Sequence, residues 1–180
     1  MKYSSLFCYH LYVKRILIFG RSGSGKSTLA SKLGQKLGFP VFHLDRYYWS
    51  SGWIARPKED MTADIEKILS SNDTWIIDGN FKRSALETRI QQSDLIILLD
   101  FRFATCLRQA IWRHFKYRNK VRLDMHEGCP QKFDLAYIKF QWNQRKTTIN
   151  PLLKILSSFP EKKVVKLKNP AQVSAWFEKL

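Results

Sequence analysis

The sequence predicts a three-layer α/β domain built on a five-stranded parallel sheet, and three observations carry that expectation. Short, nearly continuous apolar runs recur along the chain and read as strands buried on both faces. Segments with apolar residues every three or four positions lie between them and read as covering helices. At 180 residues, 44% of them apolar and 14% aromatic, the chain has the length and the interior of one ordinary domain.

The first run, "KRILIFG" from Lys14, ends in glycine and reads as a buried strand. After a glycine loop, Leu29, Leu33 and Leu37 recur on one side of a helix with Lys32 and Lys36 on the other, and Gly38 and Pro40 stop it. "PVFHLD", 40–45, is the second strand, followed by an aromatic connector, "YYWSSGWIARP", and a helix from about Lys58 to Ser70. "TWIIDG", 74–79, and "LIILLDF", 95–101, are the third and fourth strands, with a short helix between them. A helix over about 104–118 is expected to bury Leu107, Ala110, Ile111 and Phe115, leaving basic faces outside. Another covers 132–148 until Pro151 forces a break or a fresh start. "KVVKL", 163–167, is the fifth strand, and Asn169 caps a last helix that has Pro170 in its first position.

Composition narrows the partners. The chain has 31 Lys and Arg against 15 Asp and Glu, a formal net charge of +16, which fits nucleic acid, an anionic surface or a polyphosphate ligand, or simply a basic surface. Cys8, Cys106 and Cys129 are far apart, and the four histidines have no ligand spacing, so reduced thiols and no structural metal are expected. The N-terminal "MKYSSLFCYHLYV" is broken by Tyr and His, and no segment approaches a membrane span, so a cytoplasmic protein without a membrane partner is expected.

"GRSGSGKS", Gly20 to Ser27, satisfies G-x-x-x-x-G-K-[ST] in full and lies between a buried strand and an amphipathic helix, where a phosphate cradle belongs. A triphosphate needs many inward backbone N–H groups and no side chain in the way, which Gly23 and Gly25 allow. Ser22, Gly23, Ser24, Gly25, Lys26, Ser27 and Thr28 are therefore the expected ATP-binding residues. Lys26 is to reach the β- and γ-phosphates, and the Ser27 hydroxyl is to ligate Mg²⁺. Asp78, closing "WIIDG", is the second expected Mg²⁺ ligand, with a turn cap as its alternative and Asp100 as its competitor. Asp45, closing the second strand, lies where an acceptor collects in open sheets, to orient or deprotonate an alcohol or merely to contact a phosphate. His43 reads as an ordinary strand residue, while Tyr47, Tyr48, Trp49 and Trp53 form either a stacking wall or a cap on the core.

The combination of "GRSGSGKSTLA", "FHLDRYYW", "WIIDGNF", "LDM" followed by "EGCPQKFD", and "LKNP" resembles the DNA topology modulation protein family, adenylate-kinase-like P-loop proteins, from about Lys14 to the C-terminus. The resemblance implies the nucleoside-monophosphate-kinase topology with sheet order 2-3-1-4-5, and a single domain over 14–180 with a lid at about 113–132. Residues 1–13 are an extension to that pattern, and Gln131 stands where relatives often carry Glu. The resemblance also makes 102–122, which holds Arg102, Arg108, Arg113, Lys116, Arg118, Lys120 and Arg122 without an acid, the helix leading to the lid. The usual Arg-x-x-x-Arg pair is out of register, since Gln109 precedes Arg113 by four, so Arg113 is the expected lid arginine, followed by Arg118 and Arg122. A solvated helix face and a nucleic-acid contact are the other readings of this run. "LKNP" is implied to lie near the adenine.

The function these features predict is phosphoryl transfer from ATP with Mg²⁺ to a small acceptor of unstated identity, with Lys26, Asp45 and Arg113 as the catalytic residues. A nucleotide-dependent nucleic-acid regulator and a plain ATPase are the alternatives.

Overall fold

The computed structural model describes residues 13–82, 84–117, 122, 124–130 and 133–180. Strands β1 (Arg15–Gly20), β2 (Val41–His43), β5 (Trp75–Asp78), β6 (Leu95–Leu99) and β7 (Val164–Leu167) form one sheet in the order β2-β5-β1-β6-β7, every pair parallel. Counting these strands alone along the chain, the order is 2-3-1-4-5, as the resemblance implies. Strands β3 (Trp49–Ser50) and β4 (Ile54–Ala55) pair separately as a small antiparallel hairpin.

Successive strand residues point to opposite faces, and each face of the sheet carries its own core. Leu17 and Phe19 of β1 join Ile77, Ile96 and Leu98 beneath helices α3 (Lys58–Ser71), α4 (Leu86–Gln92) and α7 (Asn150–Leu156). Ile16 and Ile18 join Ile76, Ile97 and Leu99 beneath α1 (Lys26–Leu37) and α5 (Phe103–Lys116), with α8 (Pro170–Glu178) closing the edge. The result is an α/β fold of P-loop kinase type, with a parallel sheet between two helical layers.

Three expectations need correction. Strand β2 stops at His43: Leu44 is fully buried and begins a short helix, α2 (Leu44–Tyr48), so Asp45 lies in the first turn of a helix and does not end a strand. Strand β7 is an edge with only Leu167 buried, and β2 is half-buried throughout, so the buried strands are the central β5, β6 and, beyond Arg15, β1. Helix α5 buries Cys106 and Ala110, whereas Ile111, Trp112 and Phe115 are exposed. Its N-terminal half packs on the sheet, and the apolar spacing of its second half marks a face that no core residue covers.

Helix α6 (Leu135–Gln144) opens on Asp134, whose carboxylate accepts the Tyr137 amide at 2.7 Å. A π-helical turn, Arg145–Ile149, carries it into α7, so Pro151 coincides with a widened turn and a fresh start. Proline cannot donate to the carbonyl four residues back, Thr147, and that oxygen accepts Lys82 Nζ at 2.6 Å instead. Asn169 caps α8 by accepting the Gln172 amide at 2.9 Å, with Pro170 first in the helix.

Candidate functional site

Parallel register brings the carboxyl ends of the strands together. His43 pairs with Asp78 across β2 and β5, and Ile18 pairs with Asp78 across β1 and β5, two residues before Gly20. Above these ends lies a cleft of about 1630 Å³ lined by all of Ser22 to Thr28, by Asp45, and by Arg113 and Arg122.

The glycine loop is braced from both sides. Asn80, just past β5, pairs with Gly20 through both of its side-chain groups: its Oδ1 accepts the Gly20 amide at 3.1 Å and its Nδ2 donates to the Gly20 carbonyl at 2.8 Å. Arg21 folds underneath, buried, and donates to the Gln141 carbonyl at 2.6 Å. The Ser22 amide donates to Gln144 Oε1 at 2.7 Å, and the Ser22 carbonyl accepts Gln141 Nε2 at 2.9 Å. Gly23 has φ +79°, and a Cβ there would stand 2.4 Å from the Cys106 carbonyl oxygen, so the loop passes where only glycine fits. The ladder of α1 opens with Leu29 donating to the Gly25 carbonyl at 2.9 Å, which leaves the amides of residues 25–28 ahead of it, at the positive end of the helix dipole.

Lys26 curls over the loop, its Nζ donating to the Arg21 carbonyl at 3.1 Å. Burial pushes its pKa down, with Asp45 and Asp78 opposing that and Arg113 adding to it. Arg113 is in turn pushed down by burial and by the Arg122 charge. Lys26 thus feels the charge of Arg113, and Arg113 that of Arg122, around a single cleft, a field that an anion would relieve. Among the described residues, Ser24 Oγ and Arg113 Nε are buried polar atoms with no hydrogen-bond partner. A glycine-lined cradle holding spare donors and cations fits a polyphosphate.

Asp78 is 2% exposed and accepts Ser27 Oγ at 2.8 Å and His43 Nδ1 at 2.5 Å. His43 is therefore no ordinary strand residue: adjacent register positions aim both side chains at one point. Burial lowers the His43 pKa, but the hydrogen bond to Asp78 and its charge outweigh that and hold it above the usual range. The Ser27 hydroxyl and the Asp78 carboxylate suit Mg²⁺, which takes one or two carboxylates and keeps several waters. Among the described residues no group of three or more His, Cys, Asp or Glu is arranged to hold a metal. Asp100, the competitor for this role, instead pairs with Arg145 and with Lys166 Nζ at 2.9 Å.

Asp45 is half-buried in the cleft. Desolvation raises its pKa, with Lys26 as the strongest opposing charge. Beside it, Tyr48 packs edge-on against Trp49, at 4.6 Å between centroids, and tilted against Phe81, while Trp49 meets Trp53 at 5.4 Å. Tyr48, Trp49 and Trp53 line the cleft, whereas Tyr47 faces a separate recess with Arg46 and Asp64. The hairpin is tied to residues 128–130: Gly52 donates to the Gly128 carbonyl at 3.0 Å, Trp53 Nε1 to that of Pro130 at 3.1 Å, and Cys129 Sγ to that of Ser50 at 3.1 Å.

On the opposite wall, Arg113 Nη2 donates to the Tyr137 hydroxyl at 2.9 Å, whereas Arg108 is exposed. Arg122 pairs with Asp124. Burial raises the Asp124 pKa, and the charge and hydrogen bonding of Arg122 outweigh that, holding it below the usual carboxylate range. Arg118 and Gln131 lie outside the described residues, as do residues 1–12. Sequence reasoning missed Asn80, Asp124, Tyr137, Gln141 and Gln144. The last three recur at helical spacing, but polar residues at that spacing also describe a solvated face.

Sheet order and the glycine loop ahead of α1 define a P-loop, kinase-like α/β fold. No family model matches the chain. A stretch of 67 residues is 34% identical to the uncharacterised protein YqaC of Bacillus subtilis (strain 168), spanning 37% of this chain and 38% of that protein's length. Among solved structures, a gluconokinase from Sinorhizobium meliloti 1021 matches with a TM-score of 0.56 at 14% identity, over 93% of this chain and 89% of that one. That likeness is one of fold. The resemblance to the DNA topology modulation family rests on the motifs alone. No helix among the described residues is long and apolar enough to cross a membrane.

Proposed function

We propose that this chain is a phosphotransferase that binds ATP with Mg²⁺ and passes the γ-phosphoryl group to a small acceptor held beside Asp45. The observation that carries the reading is the convergence of Lys26, Arg113 and Arg122 on the glycine loop, in the same cleft as the Ser27–Asp78 pair and Asp45. Bound Mg²⁺·ATP supplies the electrophilic phosphorus and a good leaving group, ADP. The amides of Gly23 and of residues 25–28, together with the Lys26 ammonium, would hold the phosphates, whereas the Ser24 amide is taken by the Arg21 carbonyl at 3.1 Å; Ser27 and Asp78 would hold the metal. Arg113 and Arg122, with Arg118 in the same segment, neutralise charge as a bond forms from the acceptor oxygen to phosphorus and the bond to the bridging oxygen breaks. A hydroxyl acceptor gives its proton to Asp45, whose raised pKa makes it a better base than an exposed carboxylate. Residues 113–132 serve as the lid that excludes water.

ATP consumption measured across a panel of small acceptors tests the proposal, with Lys26→Ala beside the parent. The variant is expected to lose about 100-fold or more in turnover, as removal of a transition-state donor does. Equal turnover in both would overturn the proposal, as would calorimetry that detects no ATP binding by the parent.

A nucleic-acid-associated regulator is the second reading, and α5 favours it. Trp112 and Phe115 are 63% and 69% exposed, the Lys116 ammonium lies 4.8 Å from the Trp112 ring centroid, and the helix has no acid. A salt titration of DNA binding decides, since phosphate contacts give a steep loss of affinity with salt.

A further inference from the structure

We infer that Tyr137 is a positioning residue that aims two donors, the Ser22 hydroxyl and the Arg113 guanidinium, at the phosphates of the bound nucleotide. The inference rests on the phosphotransferase reading, and hydrogen-bond accounting within the site carries it.

A tyrosine hydroxyl has one hydrogen to give and two lone pairs to receive with. Three polar groups surround that of Tyr137: Arg113 Nη2 at 2.9 Å, Gln141 Nε2 at 3.0 Å and Ser22 Oγ at 2.8 Å. The guanidinium can only donate. The Gln141 nitrogen can only donate as well, and its identity is set by a second bond, because it also reaches the Ser22 carbonyl at 2.9 Å. Both lone pairs are thereby taken, so the phenol hydrogen goes to Ser22 Oγ.

The consequence falls on Ser22. Its amide is committed to Gln144 Oε1 and its carbonyl to Gln141, while its Oγ accepts from Tyr137. The hydroxyl hydrogen is the donor that Ser22 has left, and Ser22 lines the cleft. Ser22 thus meets a phosphate through its side chain and not through its amide. Arg113 is held at one nitrogen, while its Nε is buried and has no partner among the described residues. One phenol therefore sets the direction of a donor on the loop and of a donor on the arginine wall.

The helix that presents Tyr137 is shaped for this task. Residues 137, 141 and 144 share one face of α6, and Gln141 and Gln144 are 1% and 4% exposed. Glutamine is seldom so buried unless its amide is used. The Asp134 cap on the Tyr137 amide sets the register that brings all three against the loop.

Tyr137→Phe keeps the ring and removes the hydroxyl, so it isolates the proposed role. Calorimetry with Mg²⁺·ATP and the turnover assay are run on the parent, Tyr137→Phe, Ser22→Ala and the double variant, with urea unfolding of each. Each single variant is expected to lose about tenfold in turnover per ATP bound, the scale of one hydrogen bond to a charged group. The double variant is expected to lose little more than either single one, because the two changes break one chain. Ser22→Thr, which keeps a hydroxyl, is expected to retain most of the activity when Tyr137 is present and to lose it when Tyr137 is Phe. Losses that multiply in the double variant, or a Tyr137→Phe protein that differs only in unfolding midpoint, would overturn the inference while leaving the phosphotransferase reading intact. A parent that binds no ATP would instead overturn that reading, and the inference with it.

Discussion

The loop over residues 20–28 and the roof formed by the β3–β4 hairpin with residues 128–130 both border the cleft, yet they are held by different means. The loop leaves the central strand of the sheet and is gripped by side chains from two other elements: Asn80 on Gly20, and Gln141 and Gln144 on Ser22. The roof joins a pair of two-residue strands to a turn through three hydrogen bonds, and Ile54 within it is 66% exposed. On the proposed reading, the wall that offers fixed donors to a charged ligand is tied to the cooperative core, whereas the wall beside the acceptor is held by local contacts.

A buried guanidinium extends the grip on the loop. Arg89 of α4 is completely buried and donates to the Gly79 carbonyl at 3.3 Å and the Phe81 carbonyl at 2.6 Å, one on each side of Asn80. Burial pushes its pKa down to about 9, so the arginine still carries its charge at neutral pH. Its two bonds hold the turn that positions Asn80.

The largest expected effect belongs to Asn80→Ala. It leaves the amide and carbonyl of buried Gly20 without their side-chain partners, which should lower unfolding free energy by about 2–3 kcal/mol and weaken ATP binding as well. Urea unfolding checks this, and an unchanged midpoint would mean that the loop is not braced through β5.

Gly128→Ala tests the other wall. Gly128 has φ +80°, and a Cβ there would stand 2.0 Å from Ser51 Oγ, so the turn must withdraw from the hairpin. The strain is about 1–3 kcal/mol, confined to the roof. Hydrogen exchange should speed up at the Gly52 amide while the sheet amides stay protected. Equal loss of protection in β1 would show that roof and core unfold as one unit, which removes the contrast.

The smallest effect concerns the pair beneath the cleft. His43 has its pKa raised in the folded state, so its contribution to stability is complete below the ordinary histidine value of about 6.5 and is lost as pH rises through the folded value. Unfolding measured from pH 5.5 to 8.5 should show the parent losing its advantage over His43→Gln across that window. A constant difference between the two proteins would detach the titration from the His43–Asp78 bond.

Much of the loop wall was legible in the sequence, because its features are local. Gly20 to Ser27 specify their own turn, and the apolar runs around 15–20, 75–78 and 95–99 announce strands without help from distant residues. The roof was opaque for the same physical reason. Neither "YYWSSGW" nor "EGCP" reveals that Gly52 meets Gly128, since that contact spans more than seventy residues and has no periodicity. Helix α5 misled because apolar spacing records which side chains share a face, not whether that face meets the core.

By itself the sequence determined the alternation of strand and helix, the caps at Asn169 and Gly38, and a loop that only a glycine-rich segment can make. Tertiary structure alone decided that His43 and Ser27 share Asp78, that Asp100 is tied to Arg145 and Lys166, and that α6 turns a polar face inward onto Ser22. Local preferences act within a turn or a strand, and they are written residue by residue. Hydrogen bonds between distant segments depend on register and packing, which exist only once the sheet has brought those segments together.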